Sequence, residues 1–467
     1  MFTILVTIIY ITGFLCAASA ILKSRTPQGA TAWFISLITI PFISVPFFFI
    51  FGGPKFYGYA NRRRKFDRFM SQKIFVMKET FLLDGNNHIE FKKIVNTLAT
   101  FARPGFTSHN KIKLLIDANQ TYFSMLYDLE KAEHYIFFQF YVFRPDLIGH
   151  RFLEVLMRKS QSGVRVNFLY DEIGTALPKN ILDQMKRSGI NVCHFNSMGG
   201  RGRFQVNFRN HRKIVIIDGK IAFVGGLNIG DDYLGHRADL GHWRDTHVRL
   251  EGPAVLVCQM THAKDWYWST QKDLEASWEM ASNEGNANIL VLPTGPSDEK
   301  HACLLAHLAI VNAAQKRLWI ANPYLVPPES LMDAILLAAH RGVDVRIITP
   351  STSDAWIVGI ASQVYISKLL EHGVKVYRYK RGFLHQKVLL VDDLFAVVGS
   401  ANFDFRSMFI NFEISVLTQE EEFVLDIERM LIKDMDMSEI ILAEEFLNLS
   451  LWKKITGRAA NLLAPVL

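Results

Sequence analysis

The sequence predicts an α/β protein with two duplicated α/β domains related by pseudo-twofold symmetry, preceded by an N-terminal transmembrane helical hairpin. Three observations support this prediction: two long apolar segments at the N-terminus, alternating helix and strand patterns from about residue 110, and a short motif that occurs twice. We divide the 467 residues into two transmembrane helices at 1–55 and a basic juxtamembrane linker at 56–109. The first α/β domain then covers 110–290, and the second covers 291–467 with a membrane-proximal C-terminal tail.

Two apolar segments at the N-terminus are long enough to cross a membrane. Phe2–Leu22 and Ala30–Phe51 contain no charged residue, and at about 1.5 Å per residue each helix spans roughly 30 Å. Pro41 and Pro46 are expected to kink the second helix. The short link between the two segments predicts a hairpin. A cleaved signal peptide is the alternative, but the basic n-region typical of such peptides is missing.

Positive charge is concentrated after the second apolar segment. The net charge is +7, and the basic residues within 52–73 are Lys55, Arg62, Arg63, Arg64, Lys65, Arg68 and Lys73. Because cytoplasmic flanks of membrane helices are enriched in Lys and Arg, we expect both termini and the body of the protein in the cytoplasm. The rest of the chain is nearly neutral, which argues against nucleic-acid binding. Arg201, Arg203 and Arg209 form only a small patch, interpreted as a solvated loop or a head-group contact.

From about Asn110 the two halves repeat one order of helices and strands. In the first half we predict elements at Gln120–Ala132, Tyr135–Phe143, Arg151–Ser162, Val164–Tyr170, Leu177–Ser188, Ile190–Phe195 and Lys213–Ile217. In the second half we predict them at His301–Gln315, Arg317–Ala321, Glu329–Ala339, Val343–Thr349, Trp356–Glu371, Val374–Tyr379 and Lys387–Val391. The shared order indicates an internal duplication. Strands that alternate with helices predict a largely parallel sheet with helices on both faces.

One short pattern of histidine, lysine and aspartate occurs once in each half. Residues 211–218 read H-R-K-I-V-I-I-D, and residues 385–392 read H-Q-K-V-L-L-V-D. A small-residue turn and an asparagine follow each copy at the same spacing, as G-G-L-N and G-S-A-N. The candidate catalytic and binding residues are His211, Lys213, Asp218 and Asn228 in the first half, and His385, Lys387, Asp392, Ser400 and Asn402 in the second.

The spacing of the motif suits phosphodiester chemistry without a metal ion. Residues i and i+2 of a strand lie on one face, so the histidine and lysine of each copy point in the same direction. If the halves pack about a pseudo-twofold axis, one imidazole attacks phosphorus, the other protonates the leaving oxygen, and the lysines hold the phosphate. Asp218 and Asp392 each begin an apparent hairpin turn, so a structural role is the alternative to a catalytic one.

Acidic residues are candidates for orienting the two imidazoles. Asp245 lies 34 residues after His211, and Glu413 lies 28 residues after His385. We expect each carboxylate to bind the histidine of its own half, because an imidazole in phosphoryl transfer needs a partner on its second nitrogen. Ordinary strand-end carboxylates are the alternative.

The motifs resemble the two HKD signatures of the phospholipase D superfamily, including G-S-x-N-x-D-x-R-S at Gly399–Ser407. Further segments resemble bacterial cardiolipin synthases, and together they extend over nearly the whole chain. These segments are Pro27–Trp33, Pro41–Gly52, Glu251–Pro253, Asn322–Pro327 and Leu451–Pro465. The resemblance therefore implies two phospholipase D-like domains.

The resemblance also implies a membrane phosphatidyltransferase. Phosphatidylglycerol is expected to donate a phosphatidyl group through a phosphohistidine intermediate, and a second phosphatidylglycerol to accept it, giving cardiolipin and glycerol. No metal or other cofactor is implied. By the resemblance, the histidine of the first motif, His211, is the nucleophile, and His385 is the general acid and base. The implied surroundings are phosphatidylglycerol and anionic lipids, without nucleic acid, at a bacterial plasma membrane that the protein crosses more than once.

Two other functions stay open from the sequence. A hydrolase of the same superfamily differs only in whether water or an alcohol reaches the intermediate. A membrane protein with a decayed site is disfavoured because both motifs are intact. The sequence leaves the acceptor alcohol and the oligomeric state open.

Overall fold

The computed structural model describes most of the chain. The described residues are 2–24, 26–52, 58–64, 66–68, 89–101, 105–195, 207–279, 284–298, 300–447 and 451–462. Three lysines of the predicted basic cluster (Lys55, Lys65 and Lys73) and two arginines of the predicted patch (Arg201 and Arg203) lie outside these ranges.

Three helices form the apolar N-terminus: α1 (Phe2–Lys23), α2 (Pro27–Thr39) and α3 (Pro41–Phe51). The kinked second membrane helix predicted from the sequence is instead two helices, of 13 and 11 residues. Pro41 lacks an N–H and disfavours the helical conformation of the residue before it, so the break falls at Ile40. Among the described residues, α1 is the one helix long and apolar enough to cross a membrane. It contacts both shorter helices.

Helices and strands alternate through the body of the protein. The helices are α4 (Ile89–Ala99), α5 (Asp117–Glu130), α6 (Leu147–Gln161), α7 (Lys179–Arg187), α8 (Ala254–Thr270), α9 (Ala302–Ala313), α10 (Glu329–His340), α11 (Trp356–Glu371), α12 (Phe405–Phe409), α13 (Glu421–Asp436), α14 (Glu444–Leu447) and α15 (Leu451–Asn461). The strands of the first half are β1 (Thr107–Ile116), β2 (Tyr135–Phe140), β3 (Arg165–Asp171), β4 (Asn191–Phe195), β5 (Ile214–Ile217), β6 (Ile221–Gly225), β7 (His242–Arg244) and β8 (Thr246–Glu251). Those of the second half are β9 (Ala287–Thr294), β10 (Arg317–Ala321), β11 (Leu325–Val326), β12 (Asp344–Pro350), β13 (Lys375–Tyr379), β14 (Gly382–Leu384), β15 (Val388–Val391), β16 (Phe395–Gly399), β17 (Phe403–Asp404), β18 (Glu413–Thr418) and β19 (Ser438–Ile440).

Fifteen strands form one mixed sheet, in the order β19-β13-β12-β10-β15-β16-β18-β9-β1-β8-β6-β5-β2-β3-β4. The prediction of a largely parallel sheet is wrong. Parallel pairing is confined to β2-β3-β4 and β10-β12-β13 within this sheet. The motif strands β5 and β15 pair antiparallel with β6 and β16, because a tight turn after each motif is too short for a parallel crossover.

The sheet order shows the duplication directly. From the centre outward, β1-β8-β6-β5-β2-β3-β4 repeats as β9-β18-β16-β15-β10-β12-β13. The two repeats begin at Thr107 and Ala287, so the predicted domain limits at 110 and 290 fall inside their first strands. The antiparallel pair β1–β9 joins them.

The two faces of the motif strands contribute to different hydrophobic cores. Ile214 and Ile216 of β5 lie in a central core together with residues of α8 and α13. Val215 and Ile217 of the same strand lie in an outer core that α5 and α6 cover. Helices therefore cover both faces of the sheet, as predicted, and residues of the motif that alternate along the strand have different surroundings.

Candidate active site

Both motif histidines line one cavity of about 250 Å³ between the halves. His211 lies in the extended segment before β5, and His385 lies in the segment before β15. Each segment is held by backbone of the other half. The N–H of His211 donates to the carbonyl of Phe412 at 2.9 Å, and the N–H of His385 donates to the carbonyl of Arg244 at 2.8 Å. The duplicated fold thereby brings together two motifs that are 174 residues apart.

The orienting carboxylates are exchanged between the halves. Nδ1 of His211 lies 3.0 and 3.1 Å from the carboxylate oxygens of Glu413, and Nδ1 of His385 lies 2.8 Å from Asp245. The sequence-based expectation that each carboxylate binds the histidine of its own half is wrong. The backbone hydrogen bonds described above explain this exchange. The N–H of His211 donates to Phe412, the residue before Glu413, and the N–H of His385 donates to Arg244, the residue before Asp245.

Hydrogen-bond donors surround the carboxylate of Glu413. Ser400 donates to it at 2.5 Å, Ser407 at 2.9 Å and Asn411 at 3.1 Å. Ser400, a predicted orienting residue, therefore donates a hydrogen bond to the carboxylate of Glu413. Its effect on the imidazole of His211 is indirect, through that carboxylate. This shell fixes the position of a fully buried carboxylate, which in turn holds the ring of His211.

Both motif lysines are buried beneath the histidines. Nζ of Lys213 donates to the carbonyl of His211 at 2.7 Å. Nζ of Lys387 donates to the carbonyl of His385 and lies 2.8 and 3.1 Å from its ring nitrogens. Two amino groups are thus held next to the imidazoles, where their charged forms can stabilise an anion.

Burial controls the acid–base properties of these groups. It lowers the pKa of Lys213 to about 7 and the pKa of Lys387 to about 8, against the opposing effect of nearby carboxylates. Burial also lowers the pKa of His211 to about 4 and lowers the pKa of His385. The protein therefore favours neutral imidazoles, the form that attacks phosphorus and accepts protons.

The two predicted asparagines have different surroundings in the cavity. The Asn228 side chain accepts from the N–H of Val142 and donates to the Tyr233 hydroxyl, each at 3.0 Å. Oδ1 of Asn402 is buried and has no hydrogen-bond partner within the described ranges. Both residues line the cavity, as the small-residue turns before them predicted.

The motif aspartates lie away from the cavity. Asp218 accepts the backbone N–H groups of residues 133–135, each at 2.8 Å, and Asp392 accepts those of residues 315–317. Both have left-handed backbone, with φ of 53° and 52°. Each lies seven positions after its histidine, which along an extended chain is roughly 20 Å. The structure does not bring these two predicted catalytic residues to the others; it gives them the structural alternative.

Sequence reasoning missed two further features of the cavity. Arg209 and Arg406 line one side of it, although Arg406 lies within the quoted G-S-x-N-x-D-x-R-S phrase and Arg209 was interpreted only as part of a loop patch. Tyr324 lines the other side, and its hydroxyl donates to Asp354 at 2.7 Å. No sequence signal pointed to Asp354, because neither a motif nor a periodic pattern contains it. The cavity lining therefore combines two arginines with the carboxylates of Asp354 and Asp404 and with aromatic rings.

Comparison with known proteins agrees with this geometry. A family model described as "Cardiolipin synthase, PLD-like domain" matches residues 125–246 and 308–435. "Cardiolipin synthase A" of Pseudomonas putida is 36% identical to this chain over 475 aligned positions, with 100% of this chain and 98% of that protein covered. The protein of the same name from Pseudomonas aeruginosa (strain LESB58) is 38% identical, with 98% of this chain and 95% of that protein covered.

The chain belongs to the cardiolipin synthases of the phospholipase D superfamily. Each half contains one family match and one motif, which confirms the predicted duplication. The protein is accordingly an enzyme of cardiolipin synthesis. The fold also resembles the crystal structure of phosphatidylserine synthase from Haemophilus influenzae Rd KW20, with a TM-score of 0.62 and 14% identity over 80% of this chain and 99% of that chain.

Proposed function

We propose that this cardiolipin synthase is a membrane phosphatidyltransferase that converts two molecules of phosphatidylglycerol into cardiolipin and glycerol. The observation that supports this reaction is the pair of imidazoles in one cavity, each with Nδ1 on a buried carboxylate. Because Nδ1 of each ring is engaged, Nε2 is the nitrogen that reacts. One Nε2 bonds to phosphorus, and the other transfers a proton.

His211 is the nucleophile in this proposal, as the resemblance of the first motif implies. Its Nε2 attacks the phosphorus of the donor, and the bond from phosphorus to the glycerol oxygen breaks. The bound anionic phosphodiester offsets the lowering of the pKa of His385 by burial, so His385 enters this step protonated and gives its proton to the departing glycerol oxygen. The product of the step is a phosphatidyl group on His211, free glycerol and a neutral His385.

The second step reverses these roles. His385 takes a proton from a glycerol hydroxyl of the second phosphatidylglycerol, whose oxygen attacks phosphorus. The bond from phosphorus to His211 breaks, cardiolipin leaves, and His385 is protonated again. Lys213, Lys387, Asn228 and Asn402 stabilise the charge that develops on the phosphoryl oxygens, while Asp218 and Asp392 hold backbone turns.

Membrane attachment follows from the N-terminal helices. We assign α1, with α2 and α3, to the bilayer and the body to the cytoplasmic side of a bacterial plasma membrane, because basic residues follow the apolar segments. A reporter fused after residue 70 is expected to behave as cytoplasmic. Activity of that reporter only on the outer side would contradict this topology.

The reaction is tested with the purified full chain and vesicles of phosphatidylglycerol. We expect cardiolipin and glycerol in equal amounts, and accumulation of cardiolipin in a host that otherwise lacks it. Phosphatidic acid without cardiolipin would instead identify a hydrolase, in which water attacks the intermediate. A lipid rather than a nucleic acid as the phosphodiester substrate is consistent with the nearly neutral net charge of the chain outside residues 1–73.

A further inference from the structure

The C-terminal helix α15 is docked on α11 by close helix packing. A Cβ at Gly457 would lie 3.3 Å from the side chain of Val364, so glycine permits the close approach. The Tyr365 hydroxyl donates to the side chain of Asn461 at 2.7 Å. Ala460 packs into a small cluster of residues from α11 and β11. The helix therefore has one defined inner face.

The outer face of α15 is apolar and open to solvent. Trp452 is 73% exposed, Ile455 is 49% exposed and Leu462, just after the helix, is 81% exposed. Together with Ala459, they follow the spacing of three and four residues that places side chains on one helical face. This face is opposite to Gly457 and Ala460. Large apolar side chains in such a contiguous row mark an interaction surface.

The helix on which α15 packs begins beside the catalytic cavity. Trp356, the first residue of α11, is 71% exposed. Its neighbour Ala355 and Val358, in the first turn of the helix, line the cavity. The start of α11 thus lines the cavity with Ala355 and Val358, and α15 packs on the same helix, so the exposed tryptophans of both helices belong to one helix pair at this part of the molecule.

The charge of α15 indicates which partner fits this surface. The helix contains Lys453, Lys454 and Arg458 and no acidic residue. Tryptophan, aliphatic side chains and basic residues on one short helix are the composition of helices that lie in the interface of an anionic bilayer.

We propose that α15 and the start of α11 form a membrane-docking surface that holds the mouth of the catalytic cavity against an anionic phospholipid bilayer. The surface defined by Trp356, Trp452, Ile455 and Leu462 enters the head-group region, and the exposed Arg458 of α15 contacts lipid phosphates. This docking is separate from the anchoring by α1. It lets a lipid head group reach the cavity while its acyl chains stay in the bilayer, an inference that rests on the proposed lipid substrate.

The docking is tested on the full chain with a matched pair of probes. The same environment-sensitive fluorophore is attached at Ile455→Cys and at Ile432→Cys. Ile432 is 40% exposed on α13. This helix lies on the side of the β15 segment opposite to His385, because its Asp434 accepts a hydrogen bond from Gln386, the next residue along the segment. In vesicles of phosphatidylglycerol and phosphatidylcholine, we expect a blue shift and quenching by bromine-labelled acyl chains at position 455 only. Equal exposure of both probes to water overturns the docking, whether or not the enzyme turns over.

The activity of a second matched pair tests what the docking does. Ile455→Ser is expected to reduce turnover of long-chain phosphatidylglycerol in vesicles about tenfold, and Ile432→Ser to leave it unchanged. Both variants should match the unmodified chain on dihexanoyl-phosphatidylglycerol below its micelle concentration, which shows that they fold. An equal loss on both substrates would overturn the role in docking. Failure of the unmodified chain on both substrates would instead overturn the proposed reaction and leave the probe result standing.

Discussion

The two half-sites share their reacting groups but differ in what supports them. In the first motif, the residue between histidine and lysine is Arg212, which donates to both oxygens of Asp265 at 2.8 Å and to the carbonyl of Glu413 at 3.0 Å. In the second motif it is Gln386, which donates to Asp434 at 2.7 Å. There the arginine is Arg244, which precedes Asp245 and donates to both oxygens of Asp434. Both half-sites keep a buried Arg–Asp pair, placed on different sequence positions.

The first half-site has an additional support from the segment that follows the apolar helices. The hydroxyl of Tyr59 donates to Asp265 at 2.7 Å, and its ring lies 4.8 Å from the ring of Phe412, the residue before Glu413. Asp265 also accepts from Gln139 and Asn210. The comparison teaches that duplication preserved the positions of imidazole, lysine and carboxylate, while the buried network behind them diverged.

The largest expected effect is the loss of either imidazole. His211→Ala and His385→Ala should each reduce turnover at least about 10⁴-fold, because both act in one chemical unit. Labelled phosphatidylglycerol should distinguish the two half-sites: His385→Ala retains some covalent phosphatidyl-enzyme, and His211→Ala forms none. The opposite labelling pattern would exchange the assigned roles, and absence of label in the unmodified enzyme would leave the covalent route without support.

The exchanged carboxylates give the next largest effect. Glu413→Gln and Asp245→Asn should each reduce turnover of phosphatidylglycerol about a thousandfold, because each leaves an imidazole without its orienting partner. A phosphatidyl ester of p-nitrophenol needs no proton on its leaving group. Phosphoenzyme formation from that ester should therefore recover in Asp245→Asn, as in His385→Ala, and stay slow in Glu413→Gln. If phosphoenzyme formation recovered only in Glu413→Gln, each carboxylate would orient the histidine of its own half.

The different supports predict different losses of stability. Arg212→Gln introduces at the first motif the glutamine that the second motif has at this position. It leaves the buried carboxylate of Asp265 without its cation, so the free energy of unfolding should fall by about 3–5 kcal/mol. Gln386→Ala removes a neutral donor and should cost about 1–2 kcal/mol. Denaturant unfolding of the detergent-solubilised full chain measures both. Equal losses would show that the two supports are equivalent despite their different chemistry.

A smaller effect is expected from pH. The folded protein lowers the pKa of Lys213 to about 7 and that of Lys387 to about 8, so each loses its charge as the pH rises through these values, Lys213 first. We expect kcat/KM to decline above about pH 7–8, because it reports the free enzyme. A bound phosphodiester favours the ammonium form, so the decline of kcat should lie at higher pH. A kcat/KM that stays flat to pH 10 would contradict this assignment of charge.

The smallest effect is expected from chelation of divalent ions. Both half-sites already contain a nucleophile or acid and a cation, so EDTA should leave the rate within about twofold in detergent micelles that lack anionic lipid apart from the substrate. Vesicles serve less well for this measurement, since divalent ions also alter anionic lipid surfaces. Complete loss in chelator and full recovery with one divalent ion would overturn the mechanism.

Local features of the fold were predictable because they depend on nearby residues. The strand Arg317–Ala321 and the helix Trp356–Glu371 have the predicted ends. The helix predicted to begin at Arg151 begins at Leu147, because Asp146 caps it by accepting the N–H of Gly149. The hairpin turns predicted at Asp218 and Asp392 agree with the antiparallel pairs β5–β6 and β15–β16. The prediction of a largely parallel sheet failed because the helix–strand alternation of the outer strands was extended to the centre of the sheet.

The composition of the site was predictable, but its pairing was not. The duplicated motif identified His211 and His385, and the search for an orienting acid found Glu413 and Asp245. The two pairs of carboxylate and histidine are 202 and 140 residues apart in the sequence. Short-range spacing along the chain therefore could not show which carboxylate orients which histidine. The motif aspartates illustrate the opposite case: Asp218 recurs with the motif, but in the folded protein it accepts backbone N–H groups at the turn after the strand, which is the structural alternative that the sequence left open.

The exchange of carboxylates also affects a chain that is still being synthesised. When the first half has left the ribosome, His211 is present without Glu413, and the carboxylate Asp245 is present without a histidine to orient. A chain that ends before His385, or a fragment released by a cut between the halves, contains no complete pair of histidine and carboxylate. Under the proposed mechanism the nucleophile His211 is therefore oriented only after β18, which begins at Glu413, has joined the sheet.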